Sequence, residues 1–299
     1  MMRSPSMRER KLTSSKSAGE ATIRGRIGRQ TDIDAVFEYD QIDIWGPELK
    51  RVLASVLPKH IRGIFAADPP DDVEHAREIL LSHMQIGPEA VAYRIRCWLN
   101  NKRVAVYVPL RLTDAELERV LREGLREDSV MQRGRERIPE ILKDHRDWNC
   151  VQYRLEDALA NTRIAGHPYR KAKIYASASR NCLLRNFDDY PSEASIVDER
   201  ISYELLGKSG AELAHSHGNR VLLKVSMWGG AAVRGAKACG KAADPMENLV
   251  RETFESFCYW LADPEFQPGD ECLYIGVQVH GVSVMHILGA ERVPELPKR

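Results

Sequence analysis

Between residues 46 and 100 apolar positions recur every three to four residues, the period of an α-helix with one buried stripe. The stretch PELKRVLASVL (47–57) puts Leu49, Val52, Leu53, Val56 and Leu57 on one face. DDVEHAREILLSHM (71–84) does the same with Val73, Ala76, Ile79 and Leu80. GPEAVAYRIRCWL (87–99) opens with Pro88 in a first turn, where no amide hydrogen is needed, and aligns Val91, Ile95 and Trp98. Asp68-Pro69-Pro70-Asp71 and Gly87-Pro88 separate these segments. A helical lobe over 31–100 is predicted.

The period then changes. RVAVYVPL (103–110) is apolar and β-branched, hence a strand. Thr113 followed by Glu116 makes a capping box, Leu117, Val120 and Leu121 form the buried face of the helix it opens, and Gly124 stands where a left-handed cap belongs. Residues 126–150 are strongly charged and read as helix and loop, and YRLEDALANT (153–162) as a short helix. Strand-like runs follow: AKIYASAS (172–179), RVLLKVSMW (220–228), ECLYIGVQV (271–279) and VSVMHIL (282–288). The closing ERVPELPKR reads as a frayed tail. Helices first and mixed short strands and helices afterwards give an α+β class, and the lack of regular βαβ repeats argues against a Rossmann-type sheet.

Charge changes the picture only at the start. The chain carries +1 overall, so no global field points to nucleic acid or an anionic membrane. Residues 1–30 hold eight Arg and Lys against two acids, net +6, which leaves the remainder near −5. With few large apolar side chains this leader cannot bury enough surface to offset its ordering entropy, so disorder is expected. It lacks the apolar core of a cleavable secretory signal, and no window approaches a membrane span. A Ser-rich uncleaved leader is similar to those of bacterial effectors exported by a secretion system into a host cell; a plain tail or a nucleic-acid-binding arm would read the same way. Six scattered cysteines without a C-x-x-C pair fit reduced thiols of a cytosolic-type protein better than disulfides or zinc.

Two motifs tempt a reader. GAKACGK (235–241) nearly matches a phosphate-binding loop, but position 242 is alanine, the preceding strand ends at Trp228, and Pro245 interrupts the helix that should follow. A Gly/Ala loop between strands is expected instead. His215-Ser-His217, and His280 with His286, could suggest metal, yet no carboxylate or cysteine completes a ligand set, so no metal is expected.

Three stretches together resemble the ADP-ribosyltransferase superfamily, in its branch with an Arg, Ser-Thr-Ser, Glu pattern found in bacterial toxins and effectors. VYVPLRLTDAELERVLREGL (106–125) is similar to the family's opening strand and capped helix. IYASASRNCLLRNF (174–187) places Ser177-Ala178-Ser179 where Ser-Thr-Ser lies. GDECLYIG (269–276) places Glu271 where the catalytic glutamate heads a late strand. NRVLLKVSM is similar to the family's central strand, and order and spacing agree over roughly residues 90–288. The resemblance implies an ADP-ribosyltransferase-like mixed β core over 101–290 with NAD as substrate. It also implies a cleft in which Glu271 and Ser177 are catalytic and Tyr107, Arg111 and Ser179 bind NAD. Cleaving the nicotinamide–ribose bond passes through a ribose cation, which a carboxylate stabilises, and Ser177 would hold the ribose and orient Glu271.

Three departures shape the functional expectation. Val108 stands where the family has an arginine, and valine has no donor for a phosphate. Arg111, three residues on, points to the opposite face of a regular strand; a bulge at Pro109 would be needed to bring it round. Ala178 replaces the central threonine, and Gly269 replaces the second glutamate of arginine-modifying members. The implied function is transfer of one ADP-ribose from NAD to a protein acceptor, in a host cell if the leader directs export. The alternative is a catalytically inactive effector on the same scaffold that binds a host protein or peptide. No nucleic-acid partner is expected.

Overall fold

Ten consecutive residues, Arg103–Leu112, form the central strand β1, and nine of them are buried. A strand covered on both faces has no wet side to alternate with, which is why residues 104–110 are one apolar run. The computed structural model describes residues 36–125, 130–164, 174–185, 193–237, 248–268, 276–279 and 282–294. The basic leader over 1–30, Gly269, Glu271 and His280 lie outside them.

Strand β3 (Asn219–Trp228) pairs antiparallel with β1 along its whole length, from Arg103↔Trp228 to Leu112↔Asn219. Strand β5 (Ile287–Arg292) flanks β3. On the other side β2 (Ile174–Ser177) meets β1 at Tyr107↔Ser177, and β4 (Gly276–Val279) pairs with β2, so the order is β4-β2-β1-β3-β5, antiparallel throughout. The described residues therefore form a mixed helix-and-sheet fold with one small antiparallel sheet. Pro109 forces no bulge, because the β1–β3 register runs past it without a shift. Phe37 bonds the Arg103 carbonyl (2.7 Å) and the Ala105 amide (2.9 Å), so the odd residues of β1 turn their backbone groups to the β2 side. Pro109 falls on that side beyond the β2 pairing, where a missing N–H leaves no ladder bond broken among the described residues.

The sheet separates two environments. Val104, Val106, Val108 and Leu110 of β1, with Val221, Leu223 and Val225 of β3, face the main core. That core is built by α1 (Ile42–Leu53), α2 (Ile61–Ala67), α3 (Val73–Ser82), α4 (Pro88–Asn100), α11 (Gly229–Lys237) and α12 (Asn248–Ala262). On the other face Ala105, Tyr107 and Leu222 pack against Leu183 of α9 (Arg180–Arg185) and against Val293. A second core joins α6 (Val130–Leu142), α7 (Trp148–Val151), α8 (Leu155–Ile164) and α10 (Glu193–Ser216) through Ile138, Leu142, Leu159 and Ile201. Helix α5 (Asp114–Glu123) carries the capping box at Thr113 and Glu116.

Several sequence expectations need correction. Helix α1 begins at Ile42, ahead of the stretch 47–57, with Pro47 inside it, and Gly46 is packed against the Trp260 ring. His215 lies in the last turn of α10, and the first three residues of GAKACGK end helix α11 rather than forming a loop. VSVMHIL is not one strand: Val284–His286 make a 3-10 turn before β5. The strand then runs to Arg292, so the supposed tail begins as ordered sheet with Val293 buried. Gly124 has φ 84° and ψ 177°, a positive φ but an extended exit instead of a left-handed turn. Any Cβ there would sit 2.2 Å from the Val282 carbonyl oxygen, because Leu125 and Val282 exchange two 2.8 Å backbone bonds.

Candidate functional site

The chain segment Val36–Asp40 lies beside β1 where β2 ends, and it brings two acids to the Tyr107 face. Ser177, the last residue of β2, sits opposite Tyr107 in register. Its Oγ accepts the Ser179 amide at 3.1 Å. Ser179 caps α9: its Oγ accepts the Cys182 amide at 3.1 Å and donates to Asp40 Oδ1 at 2.8 Å. Asp40 Oδ2 accepts the amides of Arg180 (2.6 Å) and Asn181 (3.0 Å). The opening amides of α9, which lack partners within the helix, are thus satisfied from two directions. Burial raises the Asp40 carboxyl above its ordinary pKa, against these bonds, which favour the anion.

Tyr107 donates to Glu38 Oε2 at 2.8 Å, and Lys224, its register partner on β3, donates to Glu38 Oε1 at 2.6 Å. Burial, then the Glu38 charge, push the phenol well above its ordinary pKa, so Tyr107 stays protonated. At the rim Arg180 grips Glu291 with two bonds, 2.8 and 2.6 Å. The result is a polar shelf of alternating charge on the second face of the sheet, with two hydroxyls at its floor. Ser177 and Ser179 are both 0% exposed.

The structure brings Tyr107, Ser177 and Ser179 together. Arg111 shares their face but lies four residues along β1, roughly 13 Å away at strand rise, and is buried beside its register partner Arg220. Val108 points the other way, into the main core, at 1% exposure. Glu271 lies outside the described residues. Glu38, Asp40, Arg180, Lys224 and Glu291 were not foreseen. Lys224 alone left a signal, as the charge set between the apolar runs VLL and V of the strand. Asp40 acts across 139 residues, and nothing local marks it. Among the described residues no three His, Cys, Asp or Glu side chains gather as metal ligands, and no helix is long and apolar enough to cross a membrane. Comparison of the chain with protein-family models, with curated proteins and with solved structures finds no match.

Proposed function

We propose that the chain is a mono-ADP-ribosyltransferase-type protein that moves ADP-ribose from NAD to a protein acceptor. One observation carries the reading. The first two stretches on which the resemblance rests contribute the neighbouring strands β1 and β2, the third ends on Gly276, the first residue of β4, and Tyr107, Ser177 and Gly276 form a row across β1, β2 and β4. Glu271 precedes Gly276 by five residues, so chain reach limits their separation to about 18 Å. In this reading Glu271 stabilises the ribose cation, Ser177 anchors the ribose with Ser179 and Tyr107 beside it, and Arg111 supplies a phosphate donor on the same face.

A second reading, a non-catalytic scaffold that binds a host protein or peptide, is favoured by the complete burial of both serine hydroxyls and by Val108 in the core. Incubation with labelled NAD and a cell lysate separates the two. Transfer predicts labelled acceptor bands with wild type and none with Glu271→Ala. Absence of label and of NAD loss in both proteins overturns transfer. Calorimetric titration with millimolar NAD giving no heat then leaves the binding reading.

A further inference from the structure

The helical lobe carries its charge unevenly. From Leu49 to Ala67 the chain holds Lys50, Arg51, Lys59 and Arg62 and no aspartate or glutamate. This stretch is the end of α1, the turn after it and α2, and all four cations are exposed. A fifth arrives from α4, where Arg94 is half-buried and donates through Nη1 to Ser55 Oγ in the turn at 3.1 Å. Glu48, the acid just before the stretch, accepts from Lys102 at 2.8 Å and from Trp98 at 3.0 Å. Asp68, the first acid after it, stands at the other end of α2 from Arg62, roughly 9 Å along the helix axis.

The fold accounts for half of this. Lys50 and Arg51 lie in the last turn of α1, where the carbonyl end of a helix favours cations. Arg62 lies in the first turn of α2, which holds no acid, and the amide end of a helix disfavours a cation. Lys59, just ahead of that turn, adds like charge to it. Exposed cations elsewhere on the chain, such as Arg122, Arg135 and Lys143, sit 3.1, 2.7 and 3.0 Å from an acid. Charges kept against local stability point to a role outside the fold.

Among these cations Val56, Leu57 and Ile61 are half-buried, packed on the main core with part of each side chain at the surface. The surface therefore offers fixed positive charge around an apolar floor. Carboxylates match the charge and apolar side chains match the floor. A phosphate backbone would leave the floor unused. None of the large apolar side chains between Leu49 and Ala67 is exposed, as entry into a bilayer would need. We propose that the turn joining α1 and α2 docks an acidic, partly apolar segment of a protein partner, its carboxylates on Lys50, Arg51, Lys59 and Arg62 and its apolar side chains on Leu57 and Ile61. Docking here is independent of ADP-ribose transfer.

A fluorescein-labelled twelve-residue peptide of repeating Glu-Glu-Leu is a fitting probe, with a Gln-Gln-Leu repeat, a twelve-nucleotide oligothymidylate and phosphatidylserine vesicles as contrasts. Fluorescence anisotropy on the full chain is expected to show saturable binding at low ionic strength that falls as salt is added. Changing Lys50, Arg51, Lys59 and Arg62 together to glutamine is expected to weaken the Glu-Glu-Leu peptide roughly tenfold, as the loss of several exposed ion pairs implies. Changing Arg122, Lys143, Arg146 and Lys208 to glutamine removes the same charge from other exposed positions and is expected to alter affinity less than about twofold. Both variants are expected to keep the far-UV circular dichroism of wild type, since every changed side chain is exposed. Equal weakening by the two variants, equal binding of Gln-Gln-Leu, tighter binding of oligothymidylate or of the vesicles, or no saturation by wild type would each overturn the proposal.

Discussion

Replacing Glu255 with glutamine removes one ionisable proton from the packing surface between α3 and α12 while keeping the shape of the side chain. Glu255 is 5% exposed and sits beside Glu252 on the same helix, with Arg77, Glu74 and Glu78 arriving from α3 and Arg251 from its own helix. Arg77 and Arg251 pull its pKa down, but burial, followed by the Glu252 charge, pushes it up to about 7. In the unfolded chain the same group titrates near its ordinary 4.5. Between those two values the unfolded state has released a proton that the folded state still holds, so stability falls as pH rises through this window and levels off above about 7. A shift of this size corresponds to a ceiling of roughly 3 kcal/mol. Glu255→Gln keeps a hydrogen-bonding partner for Arg77 without the ionisation cost. Urea unfolding of both proteins at pH 5, 6, 7 and 8 is therefore expected to show the variant nearly level with wild type at pH 5 and about 1–3 kcal/mol more stable at pH 8. A variant less stable than wild type at pH 8 would refute this reasoning, since it would mean that the ionised pair with Arg77 outweighs the burial of the charge.

Two further outcomes probe the Tyr107 face and the residue behind it. Val108→Arg, which restores the residue type that the resemblance places at this position, buries a cation in the main core instead of the shelf; a loss of roughly 4 kcal/mol or more, or failure to fold, is expected by urea unfolding, with no gain in NAD binding. Asp40→Ala strips the acceptor from the Arg180 and Asn181 amides and from Ser179 Oγ, so a loss of about 1–3 kcal/mol and faster amide exchange at the start of α9 are expected, whereas unchanged exchange would show that Ser179 alone holds that helix end.

What the sequence disclosed followed from how one-sided each environment is. Helices α3 and α4 each present one apolar stripe to one core, and β1 is covered on both faces, so period and run length announced them. Helix α12 was not legible because Glu252, Thr253, Glu255 and Ser256 are buried among its apolar residues, which erases the contrast between stripe and surface. Helix α10 was missed for a related reason. It breaks at Gly207, with φ 61°, so its two halves do not share one continuous stripe. The capping box at Thr113 could be read because its two partners are three residues apart; in the cap of α9 only the bond from the Cys182 amide to Ser179 is local, and the second acceptor, Asp40, belongs to a segment with no local link to it.

The same non-local segment decides how the Ser177 face can work. The backbone of this segment pairs with β1 through Phe37, bonded to Arg103 and Ala105, and its Glu38 and Asp40 take hydrogen bonds from Tyr107, Lys224, Ser179 and two α9 amides. Their carboxylates occupy the donors that an anionic ligand on this face would use, so a dinucleotide must displace them or bind where they are not. Displacement is costly for Asp40, whose loss strands the α9 amides, and less so for Glu38, whose partner Lys224 is half-buried and can still reach water. If NAD binds here, Glu38→Gln should strengthen it by freeing the Lys224 ammonium from a competing charge, and titration calorimetry comparing the two proteins checks this. An affinity that weakens in Glu38→Gln would mean that the acid positions the ligand rather than competing with it.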